Sequence, residues 1–467
     1  MDVLSMLAHG FAVALTPTNL LLCLVGVTIG TLIGALPGLG PSGTVAILIP
    51  FTFGRDPTGS MIMLAGIYYG GMYGGSLTSI LLNTPGENAS VMTCIDGYKK
   101  ALKGRAGAAL GISAIASFIA GTLGVVGLMA AAPPLAAFAL SFWPPEYFAL
   151  MLMGLTAVTA IGGKSMTKAL LAGLLGLMLG FVGTDVMTGV SRFTYGHIAL
   201  VDGIPFLAAA MGMFGVTQVL VNIEQSFKAE ALSTRWRDVY PTRQDWKDSM
   251  GAFWRSSIIG FVIGVLPGAG ATIASFIAYA TERKVSRHPE KFGTGVIEGV
   301  AAPEGANNAA TAGAMVPLLT LGIPGSGTTA VMLGALMMFG LKPGPLLLQK
   351  NPDFFWAVIA SMYIGNVLLL ILNLPLVPLF AKVLDVPYWL LGPIIIMMCF
   401  VGVYSLNNSL YDVWLLFFFS VLGYFMHKLE FPVPPVVLGL VLGSMMEENL
   451  KRALAASHGD YSVFFTR

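Results

Sequence analysis

Residues 112–132 read ISAIASFIAGTLGVVGLMAAA, 21 residues without one charged side chain. A helix of that length crosses a hydrocarbon layer of about 30 Å, and in lipid a helix pairs every backbone N–H and C=O within the segment. Further apolar stretches, among them Val367–Leu379 and Ile394–Val403, recur along the chain with polar connections between them. Only 10% of the 467 residues are charged and 56% are hydrophobic, whereas a soluble protein carries about 25% charged residues. Most of this surface therefore cannot face water, and a large soluble core would need far more charge to cover it. The expected fold class is an all-α polytopic membrane protein.

Several functions are disfavoured at once. The N-terminal MDVLSMLAHG has no Lys or Arg n-region and no small-residue cleavage site, so a cleaved signal peptide is not expected. A net charge of +2 gives no reason to expect nucleic acid as a partner. The three cysteines, Cys23, Cys94 and Cys399, lie in or beside apolar segments without metal-type spacing and read as packing residues. No Walker A lysine motif, HExxH or Gly-x-Ser-x-Gly is present, so ATP hydrolysed by this chain is not the energy source.

The chain repeats itself. GALPGLGPSG (34–43) returns as GVLPGAGATI (264–273), with Gly34, Leu36, Pro37, Gly38 and Gly40 matching Gly264, Leu266, Pro267, Gly268 and Gly270. LLNTPGENAS (81–90) lines up with TLGIPGSGTT (320–329), and IASFIAG (115–121) with IASMYIG (359–365). Three matches in the same order argue for duplication of a unit of roughly 220 residues. The expected organisation is a first repeat over 1–223, a cytoplasmic linker over 224–255 and a second, inverted repeat over 256–467. The linker holds six Lys or Arg and five acidic residues. The loops Lys99–Arg105, Lys164–Lys168 and Arg283–Lys291 are basic too, and the positive-inside rule puts all of them in the cytoplasm.

Ser256–Thr281 has PGAG near its middle, which leaves arms of about 18 Å on each side, too short to cross. Basic flanks at both ends fit a chain that enters and leaves on one side. A re-entrant hairpin over about 256–281, tip at Pro267–Gly270, is expected, with a partner over about 20–53, tip at Pro37–Gly40. Five spans follow each hairpin: near 58–82, 107–131, 146–161, 167–183 and 203–222, then near 298–322, 354–373, 386–404, 411–427 and 431–446. An odd number inverts the second copy and leaves both termini periplasmic.

Irregular backbone at membrane depth is tolerated where protein buries it or a wet cavity meets it. Four Pro-Gly breaks in two pairs therefore suggest a cavity, where helix N-termini suit a carboxylate and freed carbonyls suit Na⁺. Single breaks of this kind also serve as kinks or close-packing points. Ser42 and Thr272, at equivalent positions, could cap the returning arms or offer hydroxyls to a ligand. In APEGANNAATAG (302–313), Glu304, Asn307 and Asn308 share one helix face. Their repeat equivalents are Ala65, Tyr68 and Tyr69, so a site there would be asymmetric; alternatively Glu304 lies shallow and solvated. Glu87 reads either as a cation or proton ligand or as a helix-start carboxylate.

At these motifs the sequence resembles the large membrane subunit of the tripartite tricarboxylate transporter family, the TctA type. The matching stretches are GALPGLGPSGTVAILIPFTF (34–53), YYGGMYGGSLTSILLNTPGENAS (68–90), GVLPGAGATIASFIAYATE (264–282) and APEGANNAATAGAMVPLLTLGIPGSGTTAVMLGAL (302–336). The likeness runs over essentially the whole chain. It implies a multi-pass permease of the bacterial inner membrane, not an enzyme, working with a small membrane subunit and a periplasmic solute-binding protein. It also implies uptake of citrate or another organic carboxylate coupled to Na⁺ or H⁺, with no other cofactor, by an elevator-type movement, and it leaves a homodimer open. Carried over, the cavity positions are Pro37, Gly38, Gly40 and Ser42 with Asn83, Thr84, Pro85 and Gly86 in the first half. In the second they are Pro267, Gly268, Gly270 and Thr272 with Pro324, Gly325, Ser326 and Thr328. Asn307 and Asn308 lie alongside, and Na⁺ could bind at the same tips and breaks. A channel, an intramembrane enzyme and a non-transporting membrane partner of a binding protein are the alternatives; no filter-like motif or convergent acid–base set supports the first two.

Overall fold

The computed structural model describes residues 3–36, 39–161, 165–185, 187–224, 236–376, 379 and 388–466. Two helices form its centre. Pro57–Leu81 begins where the Asp56 carboxylate accepts the Gly59 N–H at 3.1 Å, with Pro57 at the first helical position. It ends where Asn83 turns left-handed, φ 56°, a conformation asparagine tolerates better than most residues. Glu298–Leu321 ends at Gly322 in the same region, φ 72°. Asn83 and Gly322 are repeat equivalents, and each stands two residues before a proline that cannot prolong the helix.

Nearly every residue of these two helices is buried, although they are richer in Gly and Ala than in Leu. Small residues allow backbones to approach, which is how helices associate where no water drives them together. Pro17–Gly34 lies along Pro57–Leu81, and Arg243–Val265 lies along Glu298–Leu321. A Cβ added at Gly34 would collide with the Gly71 carbonyl, and one at Gly264 with the Ala310 carbonyl. Gly30 faces the Ile67 carbonyl as Gly260 faces that of Ala306. The same contacts thus occur at corresponding positions of both halves. Each half's long helix then covers the other's centre: Ala106–Ala139 lies on Glu298–Leu321, and Pro352–Asn373 on Pro57–Leu81.

Among the described residues, six helical stretches are long and apolar enough to cross a membrane: Pro17–Gly34, Asn88–Ala139, Phe206–Glu224, Pro352–Asn373, Leu390–Asn407 and Leu410–Lys428. The chain is a mainly helical membrane protein. All ten expected spans fall on helices, with Ala106–Ala139 running past the expected end at 131 in spite of Pro133 and Pro134, and Pro434–Ala456 running past 446.

One boundary differs in a way that matters. Arg243–Val265 starts inside the stretch 224–255 expected to be linker. Hydropathy sees only apolar residues, whereas this helix begins with a polar turn fixed by a capping box between Thr242 and Asp245 and by Arg105 on Asp245. At 23 residues the inbound arm is about 34 Å long, not 18 Å. The returning arm Gly270–Val285, at 16 residues or about 24 Å, remains short of a full crossing. Arg255 joins the two arms through paired bonds to Glu282 at 2.8 and 2.5 Å. The other departure from an all-helical expectation is a small antiparallel ribbon, Gly183–Thr184 with Ser191–Arg192, Gly183 opposite Arg192.

Candidate functional site

The second break is where the two halves meet. Helix Gly327–Met338 starts at Ser326, whose hydroxyl accepts the Thr329 N–H at 3.3 Å while Thr329 Oγ1 accepts the Ser326 N–H at 2.8 Å. This reciprocal cap is electrically neutral. The first-turn N–H groups of Gly327 and Thr328 have no helical acceptor, as at any helix start, and carry the positive end of the helix dipole.

Residues at or following the first Pro-Gly break of each half converge on this start. From the first, Ser42 Oγ lies 3.0 Å from Thr328 Oγ1. From the second, the Gly268 N–H donates to the Gly325 carbonyl at 3.1 Å, with Gly268 left-handed at φ 82°. Tyr68, 2% exposed in the middle of Pro57–Leu81, brings its hydroxyl to 3.2 Å from Ser326 Oγ. Gly325 packs against Gly264 and Ala314, so the break is closed on that side. Pro324 and Gly325 are buried and Pro267 is half-buried. Gly40 and Gly270, repeat equivalents, both adopt left-handed φ, 46° and 59°.

Ser42 and Thr272 do not cap their arms: the helices Gly40–Leu48 and Gly270–Val285 have Leu39 and Ala269 at their caps, without side-chain bonds. A residue two positions past the tip glycine is already inside the helix, which leaves the Ser42 hydroxyl free to reach Thr328. Thr272 is half-buried on the first turn of its arm. Pro37 and Gly38 lie outside the described residues.

The first break is built differently. Gly86 sits against the Gly34 carbonyl, as Gly325 sits against that of Gly264. Asn83 is exposed, Thr84 and Pro85 are half-buried, and the Thr84 N–H donates to the Thr78 carbonyl at 3.3 Å. Glu87 occupies the position of Ser326. Its Oε2 accepts the Ala89 N–H at 2.8 Å and it forms a capping box with Ser90. The helix-start role of Glu87 is thus real, and it puts a carboxylate where the second break has a neutral hydroxyl. Its other oxygen, Oε1, is buried without a partner.

Asn307 and Asn308 belong to a separate cluster on Glu298–Leu321. Glu304 is 0% exposed, which removes the shallow, solvated reading. Thr93 donates its hydroxyl to Glu304 Oε1, and Ser117 and Asn308 both donate to the Glu304 backbone carbonyl at 3.2 Å. Sequence reasoning did not select Tyr68, Thr329, Thr93 or Ser117. Tyr68 carried a signal, being the repeat equivalent of Asn307; hydroxyls on apolar helices carried none.

A cavity of about 540 Å³ opens between Leu179, Val182 and Phe206, the end of Gly327–Met338 and Pro434–Ala456. Arg192 binds Glu447 at 2.5 and 2.8 Å, and Lys451 bridges Glu447 at 2.7 Å and Asp185. Hydrogen bonds from Lys451 and Thr188 hold the Asp185 carboxyl well below the usual carboxylate range. Two acids and two bases cancel there, so the network holds the ribbon against the last long helix. Among the described residues no group of three His, Cys, Asp or Glu could hold a metal ion.

A family model described as tripartite tricarboxylate transporter TctA family matches residues 20–438. The chain is 47% identical over 466 residues to an uncharacterized 52.8 kDa protein in the TAR-I ttuC' 3' region of Agrobacterium vitis, covering 100% of this chain and 93% of that relative. It is also 47% identical over 207 residues to an uncharacterized protein in the TAR-II ttuC' 3' region of the same organism, covering 44% of this chain and 86% of that relative. No solved structure matches. The chain belongs to the tripartite tricarboxylate transporter TctA family, a family of membrane transporters.

Proposed function

We propose that this chain is the large permease subunit of a bacterial inner-membrane secondary transporter that imports tricarboxylates or related organic carboxylates. It works with a small membrane subunit and a periplasmic solute-binding protein, and a Na⁺ or H⁺ gradient drives it. The observation that carries the carboxylate reading is the neutral start of helix Gly327–Met338, ringed by the hydroxyls of Ser326, Thr328, Ser42 and Tyr68. Free N–H groups and hydroxyl donors at a cap that is itself neutral suit an anion. The first break already holds its own carboxylate, Glu87, and is the poorer anion site.

The recurring glycine contacts support two repeats, the second beginning with the helix Arg243–Val265 and not at 256 as expected. Five spans per repeat would invert the second copy. Two short returning arms meeting at one break suit an elevator, in which the hairpins and their breaks move with substrate against a scaffold of the remaining spans. The test is uptake of a labelled carboxylate panel into proteoliposomes holding the chain and its small subunit. Each assay is run with and without a Na⁺ gradient, a pH gradient and the binding protein. Uptake that requires a gradient and the binding protein is expected. Absence of uptake for every carboxylate, with insertion verified and the cognate binding protein present, would discard the proposal.

A further inference from the structure

Glu304 takes no part in the second break, yet it is the most costly side chain in the central helices. Its Oε1 accepts from Thr93, and the side chains of Asn307 and Ser113 also stand against the carboxyl; its buried Oε2 nevertheless makes no hydrogen bond of good geometry, and neither do Asn307 Nδ2 and Asn308 Oδ1 beside it. Asn308 Nδ2 is already used, donating to Asn307 Oδ1 at 2.7 Å and to the Glu304 carbonyl. Among the described residues no Lys, Arg or His pairs with Glu304. The other titratable groups facing it, Glu87, Tyr73 and Cys94, carry no positive charge in any protonation state.

An ionised carboxylate enclosed without a counter-charge is strongly disfavoured, so it is held neutral by a proton or balanced by a bound cation. Packing does not call for an acid here, since the repeat equivalent is Ala65. Three unpartnered polar atoms of adjoining side chains, all enclosed, mark a place for something small to bind.

Resting on the transporter reading above, we propose that Glu304, Thr93 and Asn308 form the site of the coupling ion, a single small positive charge supplied by H⁺ or Na⁺. Thr93 lies on Val91–Lys100, just beyond the first break, and Glu304 lies on the helix that leads to the second. Occupancy therefore ties the segment after one break to the helix before the other. The ion fixes their relative position without touching the carboxylate site.

The experiment is thermal unfolding of the purified full chain in two series, Na⁺ exchanged for choline at fixed pH, and pH varied at fixed Na⁺. The wild-type Tm is expected to respond in one series, which names the ion. Glu304→Gln should abolish that response, with a Tm in the ion-poor condition no lower than wild type because the uncompensated charge is gone. Thr93→Val should shift the half-saturating ion level about tenfold: downward if the ion is H⁺, because the lost hydrogen bond favours the ionised carboxylate, and upward if it is Na⁺, which would lose a hydroxyl oxygen as a ligand. No wild-type response in either series would overturn the proposal. So would a wild-type response in Glu304→Gln, an equal fall in Tm at every ion level, or loss of response in Glu87→Gln alone. Should Glu304→Gln not fold, unchanged half-saturation in both Thr93→Val and Asn308→Leu would overturn it. Carboxylate uptake by the wild type is scored separately: uptake indifferent to Glu304 defeats only this inference, and absence of uptake defeats only the transport reading.

Discussion

Ser326→Asp separates the anion site from the fold that carries it. Aspartate and serine are about equally good N-caps, and the cap bond to the Thr329 N–H at 3.3 Å can be kept by either. Helix stability should therefore change by no more than about 0.5 kcal/mol. The substitution instead places a carboxylate charge at the half-buried second break, where the first break has the buried acid Glu87. A substrate carboxylate on the first-turn N–H groups would lie about 4 Å from that charge, where repulsion is about 4 kcal/mol at an effective dielectric constant of about 20. Affinity should fall by about three orders of magnitude. Even fully water-screened, the repulsion of about 1 kcal/mol would cost roughly fivefold.

The assay is initial uptake rate against substrate concentration in proteoliposomes, beside thermal unfolding of the same preparations. Ser326→Asn, equally good as a cap but uncharged, is the comparison; both substitutions replace the hydroxyl that meets Tyr68, so the difference between them isolates the charge. A KM for Ser326→Asp equal to that of Ser326→Asn, with both proteins folded, would refute the placement of the carboxylate at this helix start.

Gly325→Ala would put its Cβ 3.1 Å from both Ala314 Cβ and the Gly264 carbonyl; overpacking of about 1–3 kcal/mol should displace the carbonyl that holds Gly268 and depress uptake at unchanged insertion. Gly270→Ala meets nothing closer than 3.7 Å but keeps φ 59°, so its cost of about 1 kcal/mol is conformational and Gly270→Asn should recover most of it, as melting of the three proteins would reveal. Burial alone would raise the Asp245 carboxyl, but hydrogen bonds from Arg105 and Thr242 overcome that and leave it depressed. Its charged form is then fully stabilising above the unfolded pKa of about 4, and that stability is lost as pH falls through the lower folded value. Asp245→Asn should cost about 1–3 kcal/mol at neutral pH and flatten the acid limb of the stability profile; an unaltered acid limb would count against the pairing with Arg105.

Much of the helical layout was legible in the residues. Apolar runs located the ten helices because each run must satisfy its own backbone. The Pro-Gly pairs located the breaks because proline cannot extend a helix and glycine admits left-handed φ, as at Gly268, Gly270 and Gly322. The start of Arg243–Val265 was hidden, since a solvated helix turn and a polar loop have similar composition. The capping alternative for Ser42 failed because the helix began three residues earlier than a cap there requires.

These are local properties, and a single chain states them by itself: helix, break, repeat register and an interior too apolar for water. Which side chains meet is not local. Ser42 and Thr328 stand 286 residues apart and Thr93 and Glu304 stand 211 apart. Nothing in either neighbourhood specifies the other. Only the packing of backbone on backbone, permitted where Gly34 and Gly264 have no Cβ, sets two helices near enough that a hydroxyl on one reaches the break in the next. Tertiary structure also decided the difference between the two breaks, because a carboxylate at Glu87 and a hydroxyl at Ser326 acquire their meaning from the helix starts they cap.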